Sequence, residues 1–409
     1  MSAASQPAAP LGGRRNILPY AALTAAYCTH AGFFNPFLPL WLKGLGLSLA
    51  VISVLTSIQA ATRMIAPYAW GTLSDRTGER AKLLRWGALA ALFASAGLWF
   101  PGGGAWWLAL VLLLMFIQTS GMMPMTEAAV AQVVSQGGVF DTKLYGRVRL
   151  WGSLGFMLAV LGAGALFERV GLGSFPLIVT LSLVVLVVFA YRLPDVKEAH
   201  HTSSVRESVP IGPVLAQPVV RWFFASAFFH VFSHMGIYTF FSLYMDSLGY
   251  SKTMIGLLWA VSVTVEIGWF FTQSRWMPRL SLPAWLVLAA ATMVLRMGVT
   301  ASLASVLWVL VIAQAFHAIT FAAHHSACIA LVSQHFPGSL RGRGQALYII
   351  IAYGIPGVLG GLLGGQLSQH LGLASVFWGT AVMALLATAC AWRVWRLHVV
   401  GKNVAAPAA

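Results

Sequence analysis

Apolar runs of about twenty residues recur along the whole 409-residue chain, each bounded by charged residues, glycine or proline. A membrane-spanning helix needs about 20 such residues, with its backbone polar groups hydrogen-bonded internally. Only 9% of the residues are charged, against roughly a quarter in soluble proteins, so a water-facing surface could not be covered. The alternating ten-residue segments of a membrane β-barrel are not seen. We therefore predict an all-α integral membrane protein with spans near 16–41, 48–73, 83–101, 105–134, 146–168, 174–192, 218–245, 251–275, 284–302, 305–334, 342–369 and 373–397.

The net charge of +15 does not indicate a nucleic-acid partner, because the basic residues punctuate the apolar runs instead of forming a patch. With the N-terminus in the cytoplasm, nineteen basic residues lie inside or at the inner boundary, and only Lys43, Arg169 and Lys252 lie outside. This positive-inside bias predicts an inner (cytoplasmic) membrane protein with both termini cytoplasmic. The three cysteines are scattered and predict neither a disulfide framework nor a metal site.

A polar stretch at 193–217 divides the chain, and a short internal repeat supports the division. The sequence at 45–48 recurs at 248–251, an offset of 203 residues, and Arg63 then falls on Glu266. Repeated halves with a site at their interface are typical of secondary transporters. The predicted organisation is a tail at 1–15, six-helix bundles at 16–192 and 218–397, the linker at 193–217, and a tail at 398–409.

The segment 71–80 between the second and third spans reads Gly-Thr-Leu-Ser-Asp-Arg-Thr-Gly-Glu-Arg. It resembles the signature loop of the major facilitator superfamily, which implies two pseudo-symmetric six-helix bundles. In that family the acid of the motif latches one conformation, and its first glycine is expected to allow close helix packing. The loop residues implied by the resemblance are Gly71, Asp75, Arg76, Gly78 and Arg80.

Within the superfamily, the text of 30–42, 145–152, 265–266 and 314–317 resembles the branch of the phenylpropionate and lactose permeases. The resemblance implies that Glu127, Arg149 and His317 contact substrate and that Arg296 assists the proton site. The residue three positions after His317, a proton-carrying glutamate in lactose permease, is here Thr320. Proton coupling is therefore assigned first to Glu266, with Glu127, His317 and His324 as alternatives.

Five charged residues lie within or just inside the spans, where such side chains are costly and usually face a cavity or a partner. Arg63 and Glu266 occupy equivalent places in the two halves, so we expect them to pair across the interface. Glu127 and Arg149 are read either as substrate ligands or as a structural ion pair. The five are Arg63, Glu127, Arg149, Glu266 and Arg296.

The tenth span is rich in histidine, and helical spacing places Gln314, His317, Phe321 and His324 on one face, with His325 about 100° away. His30 and His234 are read either as substrate contacts or as buried hydrogen-bonding residues. No acidic residue near these histidines favours a metal site.

The charged set within the spans carries a net charge of +1, which favours an anionic substrate. Aromatic candidates for an apolar substrate body are Trp151, Trp259, Phe34, Tyr238 and Phe321. The sequence thus predicts a monomeric, non-enzymatic transporter without cofactors, which takes up a small organic solute with protons by alternating access, best represented by an aromatic carboxylate such as 3-phenylpropionate. The alternatives are a sugar or nucleoside symporter, an exporter, and a membrane enzyme using the histidines of the tenth span. The predicted substrate ligands are Glu127, Arg149, His317, His30, His234 and Trp259, and the predicted coupling residues are Glu266, Arg296, Arg63 and His324.

Overall fold

The computed structural model describes residues 17–135, 141–195 and 210–405, and the regular structure within them is helical. The first half holds six long helices: α1 (Leu18–Gly44), α2 (Leu49–Thr77), α3 (Arg80–Ser95), α4 (Gly104–Val134), α5 (Thr142–Val170) and α6 (Phe175–Tyr191). After the linker come α7 (Gly212–Ala216), α8 (Pro218–Met235), α9 (Phe241–Ser247), α10 (Lys252–Trp276), α11 (Leu282–Leu303), α12 (Leu307–Ala315), α13 (His324–His335), α14 (Arg341–Tyr348), α15 (Ile355–Leu371) and α16 (Leu373–Ala405).

Three spans of the second half contain a π-helical stretch, in which each turn holds more residues than an α-helical turn. Gly236–Phe240 joins α8 to α9, Ala318–Ala323 joins α12 to α13, and Ile349–Gly354 joins α14 to α15. The sequence did not predict these stretches, and they change which side chains share a helix face.

All twelve predicted spans fall on helical segments, and ten of these are long and apolar enough to cross a membrane. The segments Leu18–Gly44 and 218–247 are not among the ten; the first carries His30 and Asn35, and the second carries His230 and His234. The predicted tails and linker lie partly outside the described residues. In the described part of the C-terminal tail the last helix continues to Ala405, because no proline interrupts it before that residue.

Successive long helices run in opposite directions between two faces of the molecule. One face carries the loops at 45–48, 171–174 and 248–251, and we call it the sealed face. The opposite face carries the loop at 78–79, and we call it the basic face because Arg76, Arg80, Arg341, Arg343, Arg393 and Arg396 lie toward it. Within the first half, α1 packs on α5 and α6, and α4 packs on α2 and α3; within the second, α16 packs on α8 and α11.

The two halves meet through α5 against α10 and through α2 against α15. Glycines let α5 and α10 approach closely at the sealed face: a Cβ built on Gly256 would lie 2.6 Å from the Val160 carbonyl oxygen. In the same region Lys43 Nζ contacts Asp246 Oδ2 at 3.0 Å. Lys43 and Asp246 are 203 residues apart, so equivalent positions of the internal repeat meet across the interface.

Packing at this interface loosens toward the basic face. Every fully buried residue of α10 lies between Ile255 and Ser262, and 263–276 contains none. In α5 the fully buried residues are concentrated at 159–167, again near the sealed face. The space between the halves is therefore closed at the sealed face and opens toward the basic face.

Candidate functional site

A cavity of about 260 Å³ lies between the two halves. It is smaller than the roughly 300–1,000 Å³ pockets that hold drug-sized ligands, so its dimensions fit a small solute. The first half contributes α1 and α5, and the second contributes the π-helical stretch after α8, α10, and the start of the π-helical stretch after α12. Among its lining residues are Cys28, Arg149, Phe156, Tyr238, Trp259, Ser262, Glu266, His317 and Phe321.

A carboxylate, an imidazole and a guanidinium form a connected cluster on the wall of the second half. Glu266 Oε2 lies 3.3 Å from His317 Nε2, and Arg296 Nη1 lies 3.2 Å from His317 Nδ1. Arginine can only donate, so His317 Nδ1 accepts from Arg296 and Nε2–H donates to Glu266. The neutral imidazole therefore connects the buried cation to the acid that faces the cavity.

Arg296 is 1% exposed and is held by neutral partners. Besides His317, it donates to Gln314 Oε1 at 2.6 Å and to Thr320 Oγ1 at 2.9 Å. Thr320 thus occupies a position where a carboxylate would have paired directly with the guanidinium. Charge compensation for Arg296 comes through His317 from Glu266, which places the carboxylate nearer to the cavity.

Glu127 on α4 and Arg149 on α5 form an ion pair beside the cavity. Their side chains are 40% and 50% exposed, and Arg149 lines the cavity. Because both groups remain accessible, the pair can exchange its internal contact for hydrogen bonds to a solute. The geometry fits both the substrate role and the structural role considered from the sequence.

Aromatic side chains form much of the remaining wall, although not all of the predicted ones do. Trp259, Tyr238 and Phe321 line the cavity, with Trp259 Nε1 fixed by Ser242 Oγ at 3.1 Å. Trp151 does not line this cavity and is 54% exposed, and Phe34 is buried elsewhere in the first half. Phe156 was missed, although it lies seven residues after Arg149 and hence on the same helix face.

The histidines occupy three different environments. His30 lies away from the large cavity, with Nδ1 2.9 Å from Ser182 Oγ. His234 is stacked on Tyr238, and its Nε2 is buried without a hydrogen-bond partner. These positions do not bring His30 and His234 to the large cavity in this conformation, contrary to the predicted substrate contacts.

The predicted face of the tenth span is wrong at its C-terminal end. His317 stacks on Phe321, and Phe321 stacks on His325 at 5.9 Å between ring centroids, so the face continues to His325. His324 instead stacks on His230 at 3.6 Å, away from the large cavity. The π-helical stretch Ala318–Ala323 explains the exchange, because its wider turn carries the face forward by more than an α-helical step.

Arg63 and Glu266 are not paired. In the part of the chain that the structure describes, the ion-pair partner of Glu266 is His317, and Arg63 lines a separate small cavity in the first half. The expectation of an Arg63–Glu266 ion pair is therefore wrong for this conformation. Looser packing toward the basic face accounts for the separation of equivalent positions on α2 and α10.

The loop at 71–80 lies on the basic face. Gly78 ends α2 with φ of +65°, a conformation that favours glycine, and its N–H bonds to the Ser74 carbonyl. Arg80 Nη2 lies 3.6 Å from Asp75 Oδ1, while Arg76 is exposed. Gly71 does not mediate close packing here, since a Cβ added to it would meet nothing within 4 Å. The open basic face removes the contact that the sequence predicted.

We expect Gly78→Ala to destabilise the protein by about 1 kcal/mol, because alanine must adopt the left-handed conformation that glycine accepts readily. Gly71→Ala is the matched control and should leave stability unchanged or raise it slightly. Thermal unfolding of the purified variants measures both. Equal melting temperatures for the two variants would contradict the assigned backbone role of Gly78.

Among the described residues, no group of three or more His, Cys, Asp or Glu side chains could hold a metal ion. His324 faces His230 and Cys328, whereas His325 faces Tyr353, so neighbouring histidines diverge. The buried histidines are therefore distributed among several helix contacts.

Comparisons with known proteins agree with this architecture. A family model described as "MFS_1 like family" matches residues 24–378. The protein named "Probable 3-phenylpropionic acid transporter" of Escherichia coli (strain K12) is 28% identical over 358 residues, which cover 87% of this chain and 91% of that protein. "Maltose permease" of Geobacillus stearothermophilus is 30% identical over 248 residues, 60% of each chain.

Solved structures share the fold at low sequence identity. The nucleoside transporter NupG aligns with a TM-score of 0.78 and 14% identity, covering 93% of this chain and 98% of that one. The xylose transporter XylE from E. coli aligns with a TM-score of 0.68 and 13% identity, covering 93% and 94%. Since the family model spans most of the chain, the protein belongs to the MFS_1-like family and is a multi-pass membrane transporter of the major facilitator type rather than an enzyme.

Proposed function

We propose that this transporter takes up a small organic acid together with protons, and that 3-phenylpropionate represents the substrate class. The observation that carries the proposal is the composition of the large cavity, which combines the guanidinium of Arg149 with the rings of Phe156, Tyr238, Trp259 and Phe321. A guanidinium suits a carboxylate, and aromatic rings suit a flat apolar body. The E. coli relative named for 3-phenylpropionic acid supports the same class.

Glu266 is the proposed proton carrier. It faces the cavity, its side chain is 25% exposed, and it accepts from His317, which in turn accepts from Arg296. Protonation of Glu266 leaves the Arg296 charge uncompensated, so the cavity gains positive charge and binds an anion more strongly. Substrate and proton then stabilise each other's binding, which is the thermodynamic basis of symport.

The positive-inside pattern assigns the basic face to the cytoplasm in the bacterial inner membrane. In this orientation the structure is open to the cytoplasm, and the contacts between Lys43 and Asp246 and between α5 and α10 close the outer side. Movement of the bundles at 16–192 and 218–397 about the cavity would expose it to each side in turn. The cavity is built from one chain, so we propose that the monomer is the working unit, with the proton gradient as its energy source.

Thermal-shift measurements on the purified protein with 3-phenylpropionate, maltose and a nucleoside, each at pH 5.5 and pH 7.5, test the proposal. We expect 3-phenylpropionate to raise the melting temperature, and to raise it more at the lower pH. Acidification of the exterior should then drive uptake of labelled 3-phenylpropionate into proteoliposomes. Stabilisation by maltose or the nucleoside alone would contradict the proposed substrate class.

A proton-coupled sugar or nucleoside symporter is the second candidate. The accessible Glu127–Arg149 pair offers an acceptor and a donor next to each other, which suits hydroxyl groups, and one relative is named a maltose permease. In this case Glu127→Gln would abolish the thermal shift produced by maltose. The organic-acid proposal instead expects Glu127→Gln to retain the response to 3-phenylpropionate.

A further inference from the structure

The small cavity in the first half has a wall chemistry unlike that of the large cavity. It lies between α1, α2 and α4 and has a volume of about 20 Å³, enough for about one water-sized group. No acidic side chain is among its ten lining residues. Its polar lining residues include Arg63, Gln59, Asn35 and His30, surrounded by Tyr27, Phe34, Met115 and Phe116.

Arg63 is the residue that makes this cavity unusual. Within the described residues Arg63 forms neither a hydrogen bond nor an ion pair, although it lies near the middle of α2. A charged side chain at such a depth is costly and usually has a partner or a ligand. The other two intramembrane arginines already have partners, since Arg149 pairs with Glu127 and Arg296 donates to Gln314 and Thr320.

The neighbouring amides add further donors to the guanidinium. Gln59 Nε2 donates to Asn35 Oδ1 at 3.0 Å, which uses one N–H of Gln59 and leaves the Asn35 amide nitrogen directed elsewhere. An amide nitrogen carries two N–H groups and a guanidinium carries five. A cavity with a free cation, spare N–H donors and no acid selects an anionic oxygen.

The two cavities lie on adjoining faces of α1. Cys28 and Thr24 line the large cavity, whereas Tyr27 and Ala31 line the small one. The charge of Arg63 also acts on the hydroxyl of Tyr238, which lines the large cavity. An elongated acid can therefore place its head group and its body in different cavities.

We infer that the small cavity, centred on Arg63 with Gln59 and Asn35, is the subsite that binds the carboxylate of the substrate while its apolar body occupies the large cavity. The inference rests on the proposed function and sharpens it, because it separates the determinant of charge from the determinant of shape. It also reassigns Arg63 from a coupling partner of Glu266 to an anchor for the substrate. The small volume admits a carboxylate oxygen and excludes a ring.

Isothermal titration of the full-length purified protein with 3-phenylpropionate and with its uncharged amide, 3-phenylpropanamide, tests the subsite. We expect Arg63→Gln to weaken binding of the acid by about 10- to 100-fold, the loss expected for a charge-assisted hydrogen bond. Binding of the amide should change by less than about twofold, and Arg63→Lys should restore part of the affinity for the acid. The matched control is Arg147→Gln, which removes an exposed arginine that lines neither cavity.

Three outcomes would overturn the inference, and they are distinguishable. Equal affinity of wild type and Arg63→Gln for the acid would refute the subsite and leave the proposed function intact. Recovery of acid binding in Arg63→Gln/Glu266→Gln would show that Arg63 acts by pairing with Glu266 in another conformation. Failure of the wild-type protein to bind 3-phenylpropionate would refute both the subsite and the proposed function.

Discussion

Glu266→Gln should abolish accumulation of substrate against a gradient while leaving binding and exchange within about threefold of wild type. Glutamine keeps an acceptor for His317 Nε2–H, so the hydrogen bond to the imidazole survives. It cannot gain or lose a proton, so the proton gradient can no longer drive uptake. Proteoliposomes with an imposed pH gradient measure accumulation, and preloaded proteoliposomes without a gradient measure exchange.

Glu127→Gln is the informative comparison for this experiment. Glu127 pairs with Arg149 and has no contact with the Arg296 cluster, so its substitution should leave pH-driven accumulation in place. If Glu127→Gln loses accumulation and keeps exchange, whereas Glu266→Gln still concentrates substrate, the coupling assignment is wrong. Loss of binding in both variants would instead place both acids in substrate recognition.

Gly256→Val should almost eliminate transport by forcing the halves apart at the sealed face. A Cβ at this position would lie 2.6 Å from the Val160 carbonyl oxygen, and backbone cannot move aside as a flexible side chain can. Overpacking of this kind costs about 1–3 kcal/mol, and every 1.4 kcal/mol shifts an equilibrium tenfold. The population should therefore move by about 5- to 150-fold toward a conformation in which α5 and α10 have separated at that face.

Gly268→Val on the same helix is the matched control, because a Cβ there meets nothing within 4 Å. Gly256→Ala gives a smaller perturbation and guards against simple misfolding. Cys28 lines the large cavity, whereas Cys328 and Cys390 are buried, so a membrane-impermeant maleimide reports the accessible side. Gly256→Val should raise labelling from the sealed face and lower it from the basic face. Unchanged labelling in a folded variant would contradict the assigned role of this contact.

The course of the spans could be predicted because hydropathy and charge act over whole helices. Each predicted span falls on a helical segment, even where its ends differ by several residues. The cluster of Glu266, His317 and Arg296 was also approachable from the sequence, since the cost of a buried charge marks such residues. Composition of this kind does not specify which partner each charge takes.

Local helix geometry and conformational state were not predictable in the same way. No sequence signal distinguished Ala318–Ala323 from regular α-helix, so the positions of His324 and His325 were exchanged. The expected Arg63–Glu266 pair and the expected close packing at Gly71 depend on how the two halves are arranged. One sequence serves several such arrangements, and periodicity along a helix does not select among them.

The π-helical stretches make the two halves mechanically unequal. All three lie between residues 236 and 354, and the segment equivalent to Gly236–Phe240 in the first half, 33–37, is α-helical with Pro36 inside α1. Moving one residue out of a π turn advances the following helix by about 1.5 Å and rotates it by about 100°. The second half therefore stores slack that the first half lacks. We expect the first half to swing as a stiff lever, while the second half absorbs the stroke by changing its pitch.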